Sequence, residues 1–259
     1  MIVVPIINSK GGIGKTSTAI NLSACISKFH KKRVLLLDVD TQSSLTIGLN
    51  IDNKSFNLFG CLIGNYPAKP VRVDDRLDII PGSHDIAAWE VLVAQEVGRE
   101  YFLKDFIQQF ENNYDLIIID CPPTLNLITI NSLAASPQTH VIIPIEAEYL
   151  SIVGLTQVID LVVNKIKSRI NPSISISGIL ITKYDRRKIL HRDSAETIED
   201  AFQKILYKTR IRTCIEIAES PSVGQDIFKY NPLSNGARDY SDFCEEFLER
   251  VYHVNPVNQ

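Results

Sequence analysis

Cysteine is sparse in this sequence and shows no pairing pattern. Cys25, Cys61, Cys121, Cys214 and Cys244 are scattered, odd in number, and never form a CxxC pair. Neither a disulfide framework nor a zinc or iron–sulfur site is suggested, so reduced, mostly buried thiols are expected. No apolar run approaches the ~20 residues that a membrane helix requires. Met1 leads straight into an apolar stretch without a basic leader, so a cytoplasmic location is expected. Charge of one sign is lacking too. With 27 Lys and Arg against 30 Asp and Glu, the net charge is -3, and any nucleic-acid contact has to come from a local patch. At 259 residues, 45% of them hydrophobic, the chain is long enough for one large α/β domain, expected to span residues 1–259.

What is present is concentrated near the start. Asn8-Ser9-Lys10-Gly11-Gly12-Ile13-Gly14-Lys15-Thr16-Ser17 lies between an apolar run, Ile2 to Ile7, and a helical pattern. A glycine-rich turn in that position aims successive backbone N–H groups, and the positive end of the following helix, at one anion. Gly11, Gly12 and Gly14 let the backbone come close, Lys15 reaches the β- and γ-phosphates, and the Thr16 hydroxyl can ligate Mg²⁺. The expected nucleotide-binding set is Lys10, Gly11, Gly12, Ile13, Gly14, Lys15, Thr16 and Ser17. Ser9 stands where the standard motif has its first glycine, and Lys10 adds a second lysine, so this is a deviant P-loop.

Two later strands end in acids. Val34 to Leu37 is a continuous apolar run, as in a parallel strand covered on both faces, and delivers Asp38-Val39-Asp40 to its carboxyl end. Leu116 to Ile119 does the same for Asp120, which reads as a Walker B aspartate holding the Mg²⁺ water shell. Further strands are expected at Leu77 to Ile80, His140 to Ile145 and Ile174 to Thr182. Helices are expected at Ser17 to Phe29, from near Asp85, at Tyr101 to Phe110, at Ile152 to Ile170 and at Arg238 to Val251. In the helix from Asp85, Ile86, Ala87, Trp89, Val91, Leu92, Val93 and Val97 are expected on the buried side. The strand–helix alternation predicts an α/β fold, a single-domain P-loop NTPase with a mostly parallel twisted sheet and helices on both faces.

KGGIGKTS resembles the signature of the ParA/MinD group of deviant Walker ATPases. The resemblance implies that Lys10 reaches across a dimer interface to the partner subunit's nucleotide, as both glue and catalyst. Asp38-Val39-Asp40-Thr41-Gln42-Ser43-Ser44 is similar to the second nucleotide motif of that group, with Thr41 for the usual Pro and Ser43-Ser44 for Gly-Asn. By resemblance Asp40 positions the attacking water and Asp38 lies nearer the metal. The catalytic set becomes Lys10, Lys15 and Asp40, and the metal set Thr16, Asp38 and Asp120. Cys121-Pro122-Pro123 is similar to the D-x-P-P turn of the group.

The stretch from Lys183 to Arg212 holds nine Lys and Arg against five acids. In ParA-like proteins this region binds DNA through phosphates, which implies a DNA face at Arg186, Arg187, Lys188, Arg210 and Arg212. Glu216 and Cys214 depart from the pattern: they stand where an arginine of the DNA face and an adenine-seating Asn are common. The C-terminal sequence DYSDFCEEFLERVYHV is acidic, unlike the basic amphipathic membrane anchor of MinD-like proteins.

The resemblance implies a slow, partner-stimulated ATP hydrolase with ATP and Mg²⁺ as cofactors, which dimerises with ATP and binds DNA without sequence preference. It would be cytoplasmic and nucleoid-associated, acting in plasmid or chromosome partitioning with a ParB-like centromere-binding protein. Two alternatives stand beside it. One is an ATP-switched, DNA-associated regulator of replication, copy number or gene expression with little hydrolysis; the other is a MinD-like membrane-positioning ATPase.

Overall fold

The computed structural model describes residues 1–252, and for Tyr149 and Leu150 the backbone only. The last seven residues of the expected 1–259 domain lie outside the described residues. In chain order the elements are β1 (Ile2–Ile6), α1 (Lys15–Phe29), β2 (Val34–Asp38), α2 (Ser44–Gly48), α3 (Leu58–Leu62), β3 (Val71–Asp74), β4 (Leu77–Ile80), α4 (Ile86–Leu92) and α5 (Phe102–Gln108). There follow β5 (Leu116–Asp120), α6 (Leu127–Ala134), β6 (His140–Glu146), α7 (Tyr149–Asp160), a π-helical stretch (Leu161–Ile166) and α8 (Lys167–Arg169). The chain continues through β7 (Ser175–Tyr184), α9 (Ile189–Phe202), β8 (Leu206–Arg212), α10 (Ile215–Glu219), α11 (Ile227–Tyr230) and α12 (Asn235–Tyr252).

The eight strands form one sheet in the order β3-β4-β2-β5-β1-β6-β7-β8. Every neighbouring pair is parallel except β3 with β4. Alternate residues of each central strand feed two separate cores. Val3, Leu35, Leu37, Ile117, Ile119, Ile143 and Ile181 face one side with Trp89, Leu103, Ile128, Leu155 and Ile198 of the covering helices. Val4, Ile6, Leu36, Ile118, Ile142 and Leu180 face the other, with Ile20 and Leu22 of α1 and Tyr240, Phe243 and Phe247 of α12. Burial on both faces is why these strands are continuous apolar runs rather than alternating ones.

Because the strands are parallel, their carboxyl ends gather at one edge, where an open α/β sheet binds ligands. The order places β1 between β5 and β6, so the loop after Ile6 is flanked by Asp120 on one side and Glu146 on the other.

The structure departs from the sequence expectation in three places. The helix from Asp85 ends at Leu92. Ile86, Trp89 and Val93 are buried, whereas Ala87 is exposed, Val91 and Leu92 are more than half exposed and Val97 is fully exposed. A seven-residue helix has one short buried stripe, and the apolar residues outside its i, i+3, i+7 spacing face water. The expected Ile152 to Ile170 helix starts earlier, at Tyr149, and contains the π-helical stretch. The basic stretch after β7 contains both a 14-residue helix, α9, and a further strand, β8.

Candidate functional site

The loop from Ile7 to Gly14 is shaped by its glycines. Gly12 and Gly14 adopt φ of 74° and 90°, the left-handed region that a side chain disfavours. A Cβ on Gly11 or Gly12 would meet nothing within 4 Å. Space, then, is not what requires glycine at residue 12; the backbone turn is. Gly14 caps α1, and its carbonyl receives the first helical bond, from the Thr18 N–H at 2.9 Å.

Side chains fasten this loop to the sheet edge. Asn8 donates to the Pro144 carbonyl at 2.7 Å and accepts the Lys10 N–H at 3.0 Å. The Thr182 hydroxyl donates to the Ile13 carbonyl at 2.7 Å. Thr16, in the first turn of α1, donates its hydroxyl to Asp120 Oδ2 at 2.7 Å. The other Asp120 oxygen is buried and accepts no hydrogen bond among the described residues. Burial, with the nearby Asp38 charge adding to it, pushes the Asp120 carboxyl well above the usual carboxylate range. A dipositive ion beside that oxygen is what would restore the carboxylate.

Lys15 is buried, with 6% of its surface exposed, and its ammonium donates to the Lys10 carbonyl at 3.3 Å. Burial lowers its pKa against the attraction of Asp120. Lys10 points elsewhere. Its ammonium bonds Glu146 Oε2 at 2.8 Å and Glu148 Oε2 at 2.7 Å, and those bonds raise its pKa. Lys183 joins them, at 3.0 Å from Glu146 Oε1, and also donates to the Gly12 carbonyl. Burial would raise the Glu146 carboxyl, but its bonds to Lys10 and Lys183 outweigh burial and hold it below the usual range.

Asp38 and Asp120 are paired neighbours on β2 and β5. Asp38 is fully buried and already occupied. Its Oδ2 accepts the Thr46 hydroxyl at 2.6 Å and the Thr46 N–H at 2.8 Å, and its Oδ1 accepts the Asp40 N–H at 3.3 Å. Burial pushes its pKa up to about 6. Thr46 in turn accepts the Gly82 N–H at 2.8 Å, so Asp38 organises the turn into α2. The sequence reading placed Asp38 among the metal ligands; here its Oδ2 takes both Thr46 bonds, and its Oδ1 accepts only the Asp40 N–H. Asp40 keeps more freedom: Oδ1 accepts the Gln42 N–H at 2.9 Å, and Oδ2 accepts no hydrogen bond among the described residues. Ser43, in place of a glycine, sits at φ 51° with its hydroxyl buried and without a partner among the described residues.

The basic stretch is less available than its composition implied. Arg187 forms a two-armed bond to Asp185 at 2.9 and 3.0 Å, Arg210 pairs with Glu199 at 2.8 Å, and Arg212 grips Asp239 at 2.6 to 3.1 Å. Arg186 and Lys188 are exposed and make no ion pair among the described residues. Local acids thus pair with Arg210 and Arg212 in this structure. Cys214 donates its thiol to Glu216 at 2.7 Å.

Sequence reasoning missed Glu146, Glu148 and Lys183. The first two follow the apolar run of β6, as Asp38 and Asp120 end theirs, so a strand-terminal acid was the available signal. Nothing in the sequence linked Lys183 to Gly12.

Comparisons with known proteins agree with this geometry. A family model described as an AAA domain matches residues 1–176. The sporulation initiation inhibitor protein Soj of Bacillus subtilis is 37% identical over 249 residues, covering 94% of this chain and 97% of that protein. The chromosome partitioning protein ParA of Myxococcus xanthus is 33% identical over 259 residues, covering 98% and 90%. Among solved structures, that of cobyrinic acid a,c-diamide synthase from Mycobacterium smegmatis with bound ATP analog and magnesium superposes with a TM-score of 0.82 at 29% identity, covering 96% of this chain and 95% of that one. With a deviant P-loop, two strand-terminal aspartates at its side and relatives of this identity along nearly its whole length, the chain belongs to the ParA/Soj-type family of deviant Walker P-loop ATPases.

Proposed function

We propose that this chain is an ATP- and Mg²⁺-dependent ATPase that dimerises with ATP, binds DNA without sequence preference, and serves plasmid or chromosome partitioning with a ParB-like partner. One observation carries the nucleotide part. At the head of the glycine loop the Thr16 hydroxyl rests on Asp120, whose second oxygen is buried without a partner. Thr16 and Asp120 are the residues that would hold Mg²⁺ and its water shell, which when bound would offset charge on the phosphates. The backbone of residues 10–17 wraps the phosphates, and Lys15 swings from the Lys10 carbonyl to meet them. Asp40 orients the attacking water through its free oxygen. Lys10, held on its own subunit by Glu146 and Glu148, exchanges them for the partner subunit's nucleotide, which ties occupancy to dimerisation.

Arg186 and Lys188 support the DNA reading. They carry exposed, uncompensated charge on the loop that follows β7, next to the residues fastened to the P-loop. Such contacts bind phosphates and make affinity strongly salt-dependent. The whole chain is read as one such domain acting in the cytoplasm on the nucleoid.

The test joins three variants. Lys15→Ala is expected to lose ATP binding. Asp40→Ala is expected to bind ATP and dimerise in sedimentation but to hydrolyse at least tenfold more slowly. Lys10→Ala is expected to bind ATP and stay monomeric. Normal turnover in Asp40→Ala would overturn its role. A second reading, an ATP-switched DNA-bound regulator with little hydrolysis, is favoured by Ser43, which changes the loop after Asp40. It predicts that a ParB-like partner leaves turnover unchanged and that Ser43→Gly raises it.

A further inference from the structure

We propose that the chain holds one thiophilic transition-metal ion, with Zn²⁺ as the reference occupant, between α1 and α12 through Cys25, His30 and Cys244. The cysteines gave no metal pattern in sequence because the two that matter lie at opposite ends of the chain. The fold brings them together. Helix α12 lies along α1 on one face of the sheet, where Tyr240 meets Thr18 at 3.4 Å and Phe243 and Phe247 fill the shared core. Cys25 is on the inner side of α1, His30 is the residue that ends that helix, and Cys244 faces them from α12.

The two sulfurs and a ring nitrogen of His30 all lie within 4.8 Å of one another. An ion with Zn–S of ~2.3 Å and Zn–N of ~2.0 Å in tetrahedral geometry needs donors roughly 3.5 to 3.8 Å apart. Cys25 and Cys244 are 1% and 0% exposed, whereas the His30 side chain is 23% exposed. The thiols are thus shielded from bulk water, and the imidazole side is the way in. Glu245, next to Cys244, places Oε1 at 3.3 Å from His30 Nε2. A carboxylate in that position orients the ring and offsets the charge of the ion.

Donor type sets the class of ion. Two thiolates and an imidazole suit Zn²⁺, Cd²⁺ or Cu⁺, and are poor ligands for Mg²⁺. The site is therefore independent of the one at Thr16 and Asp120, which lies nine residues back along α1, about 14 Å at the helical rise. A divalent ion that binds both thiol sulfurs releases up to two protons to solvent. Filling the site links the end of the P-loop helix to the C-terminal helix by a bond that ordinary packing does not supply.

The test uses the reduced full-length protein, stripped of metal, titrated with Cd²⁺ and with Zn²⁺. One equivalent of Cd²⁺ is expected to give the ultraviolet absorption of a two-thiolate site, with protons released to a pH indicator. Cys25→Ser and Cys244→Ser should each remove about half of that absorption, and the double variant all of it. His30→Gln, at the solvent-facing corner where folding is least at risk, should keep the absorption and weaken affinity at least tenfold. Zn²⁺ at a hundredfold excess over its Kd should raise the thermal midpoint by at least ~5 °C in the unaltered protein and not in the double variant. Equal Cd²⁺ affinity and absorption in the double variant, which keeps Cys61, Cys121 and Cys214, would overturn the proposal. So would a Cys25–Cys244 disulfide in protein purified without reductant, if the reduced form then took up no metal.

Discussion

Ser43 holds a left-handed backbone that glycine adopts more readily, and its replacement has a calculable outcome. The residue sits at φ 51°, 1% exposed, with a hydroxyl that bonds nothing among the described residues, while its backbone is well used: its N–H goes to the Asp40 carbonyl and its carbonyl takes the Ile47 N–H, both at 2.9 Å. Two separate penalties are therefore built in. A buried hydroxyl without a partner costs about 1–3 kcal/mol, and a left-handed backbone at a residue other than glycine costs about 1 kcal/mol. Ser43→Ala removes the first and keeps the second. It is expected to stabilise the nucleotide-free protein by about 1–2 kcal/mol, a rise in thermal midpoint of roughly 3–6 °C for a chain of this length. Ser43→Gly also removes the second, but the freer unfolded chain takes back about 0.5–1 kcal/mol, so the two variants should lie within about 0.5 kcal/mol of each other. Urea unfolding followed by circular dichroism is the assay. The midpoint should move and the slope should not. A Ser43→Ala protein no more stable than the parent would refute the reasoning, because the hydroxyl would then have a partner.

Four other perturbations follow from the geometry. A Cβ at Gly82 would come within 2.7 Å of the Asp38 Cγ, so Gly82→Ala should destabilise by about 2 kcal/mol in the same unfolding assay and slow hydrolysis by displacing the turn into α2. Arg212→Ala leaves Asp239, a buried carboxylate, with the residue 212 N–H but without the guanidinium, and should lower stability by about 1–2 kcal/mol while leaving DNA affinity within twofold. Arg186→Ala with Lys188→Ala should leave stability within about 0.5 kcal/mol, and by filter binding should weaken DNA binding at least tenfold and flatten its salt dependence. Glu148→Gln loosens the hold on Lys10. It should change stability by under about 1 kcal/mol, as an exposed pair does, and should lower the ATP concentration at half-maximal dimerisation a few-fold in sedimentation.

Much of the fold was legible because burial on both faces leaves a plain mark. Leu35 to Leu37 and Ile117 to Ile119 are apolar at every position, and only a central parallel strand requires that. The P-loop was legible for another reason: a turn that must present N–H groups to an anion cannot be built without its glycines. Where the sheet ends, the marks fade. β8 alternates Lys208, Arg210 and Arg212 with Tyr207, Thr209 and Ile211, and a basic strand at the edge looks like a basic loop. α9, in which Ser194, Ala195 and Ile198 are the buried residues, has too few large apolar residues to announce a buried face. Asp38 shows the limit within the site. Its position at a strand end was readable, but its commitment to Thr46 depends on a helix eight residues later folding back over it. The same holds for Arg210 and Arg212, whose partners Glu199 and Asp239 are set by packing and not by spacing.

The bond from the Thr182 hydroxyl to the Ile13 carbonyl has a mechanical meaning. It joins the floor of the P-loop to the carboxyl end of β7, and Lys183, held at φ 50°, repeats the joint one residue later at Gly12. Three residues beyond lies the loop that carries Arg186 and Lys188. The arrangement is a lever with its short arm at the phosphates and its long arm at the exposed cations. A displacement of a fraction of an ångström at Ile13 need not cross the sheet to be felt at the surface; it travels along two side chains and a few bonds of backbone. Cutting the short arm with Thr182→Val should leave both ends intact and disconnect them, giving a protein that still binds ATP and still binds DNA but no longer lets one respond to the other.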